Sequence, residues 1–144
     1  MKAVYATGTN YDDPLSVLEV GTMPEPETKP FWSTIRVNSA SVNHHDVWSL
    51  QGVGLSDEQT PMILGTDAAG VLEEDIPVRK GLKAGSEVVL YTFVGTDGAG
   101  VMPGERRSIL SERYAGTMAE YTQVPSANVF AKPANLNLDE AAAL

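Results

Sequence analysis

The sequence contains no cysteine. That excludes a disulfide framework, a thiolate nucleophile, and any zinc or iron–sulfur site built on thiolates. Basic residues are scarce: 10 Lys and Arg against 19 Asp and Glu give a formal net charge of −9. Nucleic acid and anionic membrane surfaces would repel such a chain, so neither is expected as a partner. Long apolar runs are also missing. The longest falls far short of the roughly 18–20 residues that span a bilayer, and the first residues lack the apolar stretch of a signal peptide. The expectation is a soluble, acidic, cytoplasmic protein. What is present suits one domain: 144 residues, 42% of them hydrophobic, can bury a core of their own.

Thirteen Gly and nine Pro cut the chain into short pieces. Residues 1–5 and 16–20 read as strands. Residues 21–30 hold Pro24, Pro26 and Pro30 and read as a surface turn, because proline cannot sit in a central strand. Residues 31–41 alternate β-branched and polar positions, as a half-buried strand does. Across residues 42–52 the period changes. Val47 and Leu50 fall at helical spacing, and Gly52 stops a short helix. Further strands are expected at 68–73, 87–93, 119–124 and 128–131, with a polar turn at 78–85. Residues 95–113 form a polar, glycine-rich stretch of a length that is usually functional or disordered. At 137–144 a helix begins, with Asn137 as N-cap and Asp139 and Glu140 in its first turn. It stops in mid-pattern at Leu144, as a chain cut short would. Six to eight short strands with one or two short helices predict a mainly β, closed or partly open barrel.

Three motifs can carry chemistry. Gly95, Gly98 and Gly100 lie in GTDGAG, which is not the G-x-G-x-x-G of a dinucleotide site and is followed at once by Pro103 and Gly104. A surface loop is the expected reading, and no P-loop is present. Asn43, His44, His45 and Asp46 invite a metal, with Asp67 as a further ligand. Neighbouring side chains point in different directions, however, and no third histidine exists to complete a zinc site. Gly65, Thr66, Asp67, Ala68, Ala69 and Gly70 let two backbones approach closely, with Asp67 either capping a turn or serving a site.

Several segments together carry a resemblance. They are Asn43-His44-His45-Asp46-Val47-Trp48, then Pro61-Met62-Ile63-Leu64-Gly65-Thr66-Asp67-Ala68-Ala69-Gly70-Val71, and then Gly85-Ser86-Glu87-Val88-Val89. After these come Gly116-Thr117-Met118-Ala119-Glu120-Tyr121, Val124-Pro125, and Leu138-Asp139-Glu140-Ala141-Ala142-Ala143-Leu144. Their order resembles the N-terminal, GroES-like catalytic domain of the medium-chain dehydrogenase/reductase superfamily, across residues 1–144. The resemblance implies a GroES-like, partly open barrel. It places the nucleotide-binding Rossmann domain outside this chain. The implied role is the substrate-side domain of an NAD(P)H-dependent oxidoreductase, inactive alone. The competing expectation is a free-standing GroES-like binding module.

The same resemblance favours the zinc-independent, quinone-oxidoreductase-like branch. Zinc alcohol dehydrogenases carry Cys where this chain has Asn43, and a His-Glu pair where it has Thr66 and Asp67. Four cysteines of a second zinc lobe would fall within residues 95–113, which have none. No zinc is therefore expected. The resemblance implies catalytic roles for Asn43, His45 and Asp46, with Asn43 donating its amide to a carbonyl oxygen and His45 relaying a proton. It implies cofactor contacts for His44 and Trp48, and a substrate pocket that includes Thr66 and Asp67. NADP(H) is favoured over NAD(H), held mainly by the missing domain. The substrate would be a small carbonyl, enone or quinone, and a homo-oligomer is possible.

Overall fold

A computed structural model describes residues 1–77, 81–95 and 106–144. The strands are β1 (Lys2–Ala6), β2 (Leu18–Thr22), β3 (Trp32–Ala40), β4 (Met62–Ile63), β5 (Ala68–Leu72), β6 (Glu87–Leu90), β7 (Phe93–Val94), β8 (Ser108–Ile109), β9 (Tyr121–Pro125) and β10 (Val129–Ala131). Two short helices join them, α1 (His44–Leu50) and α2 (Leu138–Ala141). The expected mainly β architecture is present. A five-stranded antiparallel sheet runs β10-β6-β5-β3-β9, a three-stranded sheet runs β2-β1-β4, and β7 pairs with β8. Together they form a curled half-barrel, and no helix among the described residues is long and apolar enough to cross a membrane.

The sheet closes over one main core. Ile35 of β3 sits opposite Leu72 of β5 in register, and both are buried with Val88, Val124 and Val129. Each such side chain contributes about 1.5–3 kcal/mol on leaving water. A second cluster of Ala6, Leu50, Leu55, Met62 and Leu64 packs α1 against the three-stranded sheet. A third, of Ala69, Ala141 and Ala142, docks α2 onto β5. Lys132 ties that end down: its Nζ donates to the carbonyl oxygens of Leu136 and Pro133 and lies 3.3 Å from Glu87 Oε2.

Two features aim the chain at the candidate site. The β3–β5 register slips between Val37 and Ser39, a bulge that bends the far end of β3. Beyond it, segments 4, 63–65 and 116–118 interlock by backbone alone. Val4 N–H donates to Met118 O (2.8 Å), Leu64 N–H to Val4 O (3.0 Å), Gly116 N–H to Ile63 O (2.8 Å) and Met118 N–H to Leu64 O (2.8 Å). A Cβ on Gly116 would stand 2.3 Å from Leu64 O, so only glycine fits there.

The structure corrects the sequence reading in three places. Ten strands, not six to eight, form among the described residues. The strand expected at 16–20 begins only at Leu18, because Pro14–Val17 form a 3-10 turn with proline at its start. The strand expected at 87–93 breaks after Leu90. Buried Asn128 donates both amide hydrogens across the break, to Tyr91 O and Phe93 O at 2.8 Å each. The polar stretches at 78–85 and 95–113, including Gly98 and Gly100, fall partly outside the described residues. Within the second, Ser108–Ile109 are strand.

Candidate functional site

Helix α1 is too short to stand on propensity alone, so its ends and contacts decide it. Asn43 is the N-cap, in extended backbone conformation. The Asp46 carboxylate reaches back: Oδ2 accepts from Asn43 N–H at 2.7 Å. Its other oxygen leaves the helix altogether, and Oδ1 accepts the buried N–H of Gly65 at 2.9 Å. Asp46 is only 5% exposed, so both oxygens are spent on backbone donors. This carboxylate holds the helix start and the 65–67 turn at a fixed separation.

Gly65 makes the turn possible. Its φ is +94°, and a Cβ would stand 2.5 Å from Thr117 Oγ1 and 2.9 Å from Met118 N. Thr117, fully buried, donates its hydroxyl to Asp67 O at 2.9 Å. The turn therefore presents Thr66 and Asp67 to the cap of α1.

There the side chains converge on one oxygen. Asp67 Oδ2 accepts from Asn43 Nδ2 at 2.5 Å, from Thr66 Oγ1 at 3.2 Å and from Ser41 Oγ at 3.3 Å. Asn43 Nδ2 also lies 3.2 Å from Thr66 Oγ1 and 3.4 Å from Ser41 Oγ. Asn43, Ser41 and Asp67 are half-buried, and Thr66 is buried. The structure thus brings together Asn43, Thr66 and Asp67 from residues 24 or fewer apart in sequence. It adds Ser41, which sequence reasoning passed over as the tail of a strand. The available signal was its place two residues before Asn43, just past the bulged end of β3.

The remaining candidates lie around α1, not in the cluster. His44 and Trp48, one helical turn apart, pair at a ring distance of 6.1 Å and 40°. Trp48 is 50% exposed and Val47 beside it 42%, so this face of the helix is apolar and open. His45 turns to another partner. Its Nε2 is buried without a hydrogen bond among the described residues and stands 3.8 Å from Glu112 Oε1. Glu112 in turn accepts from Ser108 Oγ at 3.3 Å. No group of three or more His, Cys, Asp or Glu is gathered to hold a metal among the described residues, so His44, His45 and Asp67 do not form one.

The arrangement can bind and orient a small oxygen-bearing molecule. It offers an amide, two hydroxyls and a carboxylate at one spot, partly open to solvent and fixed by buried contacts behind.

Comparison with known proteins agrees with the fold. A family model described as the alcohol dehydrogenase GroES-like domain matches residues 29–134. Among solved structures, an NAD-dependent alcohol dehydrogenase superposes with a TM-score of 0.82 at 36% identity, over 100% of this chain and 43% of that one. A cobalt- and zinc-bound thermostable alcohol dehydrogenase from Pyrobaculum aerophilum gives 0.79 at 28% identity, over 100% and 44%. The quinone oxidoreductase from Coxiella burnetii shares the fold at 0.73 and 22% identity, over 100% and 40%. The chain thus spans less than half the length of each of these structures. No curated protein matches it.

Proposed function

Since the chain belongs to the alcohol dehydrogenase GroES-like domain family, we propose that it forms the substrate-side domain of a zinc-independent, NAD(P)H-dependent oxidoreductase. The substrate class is a small carbonyl, enone or quinone, and the compartment is the cytoplasm. The observation that carries the reading is the Asp67 cluster. Asn43 offers an amide, Thr66 a hydroxyl and Asp67 a carboxylate, and the amide nitrogen is hydrogen-bonded to that carboxylate at 2.5 Å.

Such a donor set does not fit zinc, which takes thiolate, imidazole and carboxylate ligands in a tetrahedron. One carboxylate already collecting three donors supplies at most a single good ligand. No step is therefore routed through a metal. The zinc- and cobalt-bound relative makes metal content the sharpest test of this point.

A nicotinamide cofactor fits better. His44 and Trp48 present an open, partly aromatic face on α1, suited to flanking a flat ring and its phosphates. The cofactor supplies the hydride when bound, and in this proposal NADP(H) is preferred and held chiefly outside this chain. This chain's residues do the rest. Asp67 orients the Asn43 amide and the Ser41 and Thr66 hydroxyls. Asn43 and Ser41, half-buried where Thr66 is buried, meet the substrate oxygen. The hydroxyls can rotate to donate a hydrogen bond to that oxygen. Asp46 and His45 act as positioning residues, Asp46 through Gly65 and His45 through Glu112.

The test uses the longest natural protein that contains this chain, treated with chelator. NADPH consumption is followed with quinone, enone and aldehyde acceptors. Turnover that survives metal removal and falls roughly a hundredfold in Asn43→Ala supports the proposal. Stoichiometric zinc whose loss abolishes turnover overturns the zinc-free assignment. Neither turnover nor NAD(P)H binding would favour a binding module without catalysis.

A further inference from the structure

A cavity of about 200 Å³ is lined by none of Ser41, Asn43, Thr66 and Asp67, although Ile63, next to the turn that carries the last two, reaches its wall. It opens between the proline-bearing segment 23–29 and the start of β3. Trp32 and Ala40 end the same nine-residue strand, which at about 3.3 Å per residue sets them roughly 26 Å apart. Three of the chain's ten aromatic residues, Trp32, Tyr114 and Tyr121, line this one space. Trp32 and Tyr114 already meet at a ring distance of 5.4 Å and a tilt of 49°.

The rim carries the unusual charge. Lys29 and Arg113 line it against one acid, Glu27, so it is locally cationic on a chain whose net charge is −9. Neither cation has a carboxylate within ion-pair distance among the described residues. Lys29 Nζ instead lies over the Trp32 ring, 4.8 Å from its centroid. An ammonium parked on a ring gains little while exposed, and a carboxylate beside it would gain more.

Backbone strain points to the same place. Among the described residues, two non-glycine residues adopt positive φ: Phe31 at 65° and Ser111 at 67°. One precedes Trp32. The other begins the turn that carries Arg113 and Tyr114, and its N–H donates to Tyr114 O at 2.8 Å. Tyr114 Oη is then fixed by donating to Arg106 O at 3.0 Å. Such conformations cost about 1–3 kcal/mol each and gather where a side chain must be aimed. Here they aim the aromatic pair and one cation into a single cavity.

We propose that this cavity binds a small, single-ring aromatic carboxylate, its ring against Trp32, Tyr114 and Tyr121 and its carboxylate between Lys29 and Arg113. The cavity has room for a single ring, and the apolar walls with a cationic rim select an anion over its neutral analogue.

Benzoate titration of the purified protein tests this, read by tryptophan fluorescence in a Trp48→Phe background so that Trp32 alone reports. Saturable change is expected with benzoate. Benzamide, the neutral analogue, should bind at least about tenfold more weakly. Lys29→Met and Arg113→Gln, both at exposed positions, should each weaken benzoate by about tenfold, while Lys83→Gln, an exposed cation that does not line the cavity, should leave it unchanged. No saturable change, equal binding of benzamide, or indifference to both charge variants would overturn the proposal. The readout needs no turnover, so its failure leaves the oxidoreductase reading untouched, and the reverse also holds.

Discussion

The two α-helices begin alike and end up doing different work. Each has Asn at its N-cap and a carboxylate three residues on, Asn43 with Asp46 and Asn137 with Glu140. In α2 the pair closes on itself. Asn137 Oδ1 accepts from Glu140 N–H and Glu140 Oε2 accepts from Asn137 N–H, at 2.9 Å each, on the exposed surface. In α1 the capping box is present too, with the Asp46 carboxylate reaching back in the same way, but the Asn43 amide nitrogen also bonds Asp67 and Thr66. The second Asp46 oxygen goes to Gly65. One helix uses its cap for itself. The other shares both cap residues with a neighbouring turn, and burial adds to the hold on the helix through Leu50 in the second core cluster.

The contrast can be broken most severely at the receiving turn. Gly65→Ala forces a side chain into a left-handed backbone and against Thr117 and Met118, and should cost about 3 kcal/mol or more in denaturant unfolding. Gly81→Ala is the matched control. Its φ is +91° but nothing among the described residues lies within 4 Å of the added carbon, so only the backbone strain of about 1–2 kcal/mol should appear. Equal losses at the two positions would mean that the close packing around Gly65 contributes nothing.

Next comes Asp46→Ala, which strands two backbone donors, one of them buried, and should cost about 2–3 kcal/mol. Asn137→Ala removes a self-contained cap and should cost about 1 kcal/mol. Asn43→Ala sharpens the contrast further. It should cost about as much stability as Asn137→Ala, about 1 kcal/mol, because both are N-caps, while turnover of the proposed enzyme falls far more. A large stability loss with unchanged turnover would reverse the roles assigned to the two asparagines.

The smallest expected effect lies outside both helices. Tyr5 Oη donates to Glu19 Oε2 at 2.8 Å. That hydrogen bond, then burial, then the Glu19 charge, hold the phenol above its ordinary value. A raised folded value means that the contribution is present at neutral pH and lost as alkaline pH rises through the phenol's titration. Glu19→Gln should move the tyrosinate absorbance transition of Tyr5 to lower pH, with little change at neutral pH.

What could be read from the residues follows from the range of the interactions. β3 was visible because Ile35 and Val37 alternate with Thr34, Arg36 and Asn38, a local pattern. α1 was visible from Val47, Leu50 and the stop at Gly52. The break after Leu90 was not, because Asn128, far along the chain, makes it. Asn43, Thr66 and Asp67 were singled out from two separate motifs, yet nothing in either motif says that they share one oxygen. Ser41 looked like the end of a strand, since its contact with Asp67 exists only after the β3 bulge. His45 stood out by residue type alone, and its partner Glu112 lies in a stretch that read as loop.

The interlocked backbone of segments 4, 63–65 and 116–118 has a consequence for hydrogen exchange. The amides of Val4, Leu64, Gly116 and Met118 all donate within it, and the close approach at Gly116 leaves no room for one segment to peel away alone. These amides should exchange only when the whole domain opens, and so with a single common protection. The floor beneath Thr66 and Asp67 should then belong to the last part of the molecule to unfold.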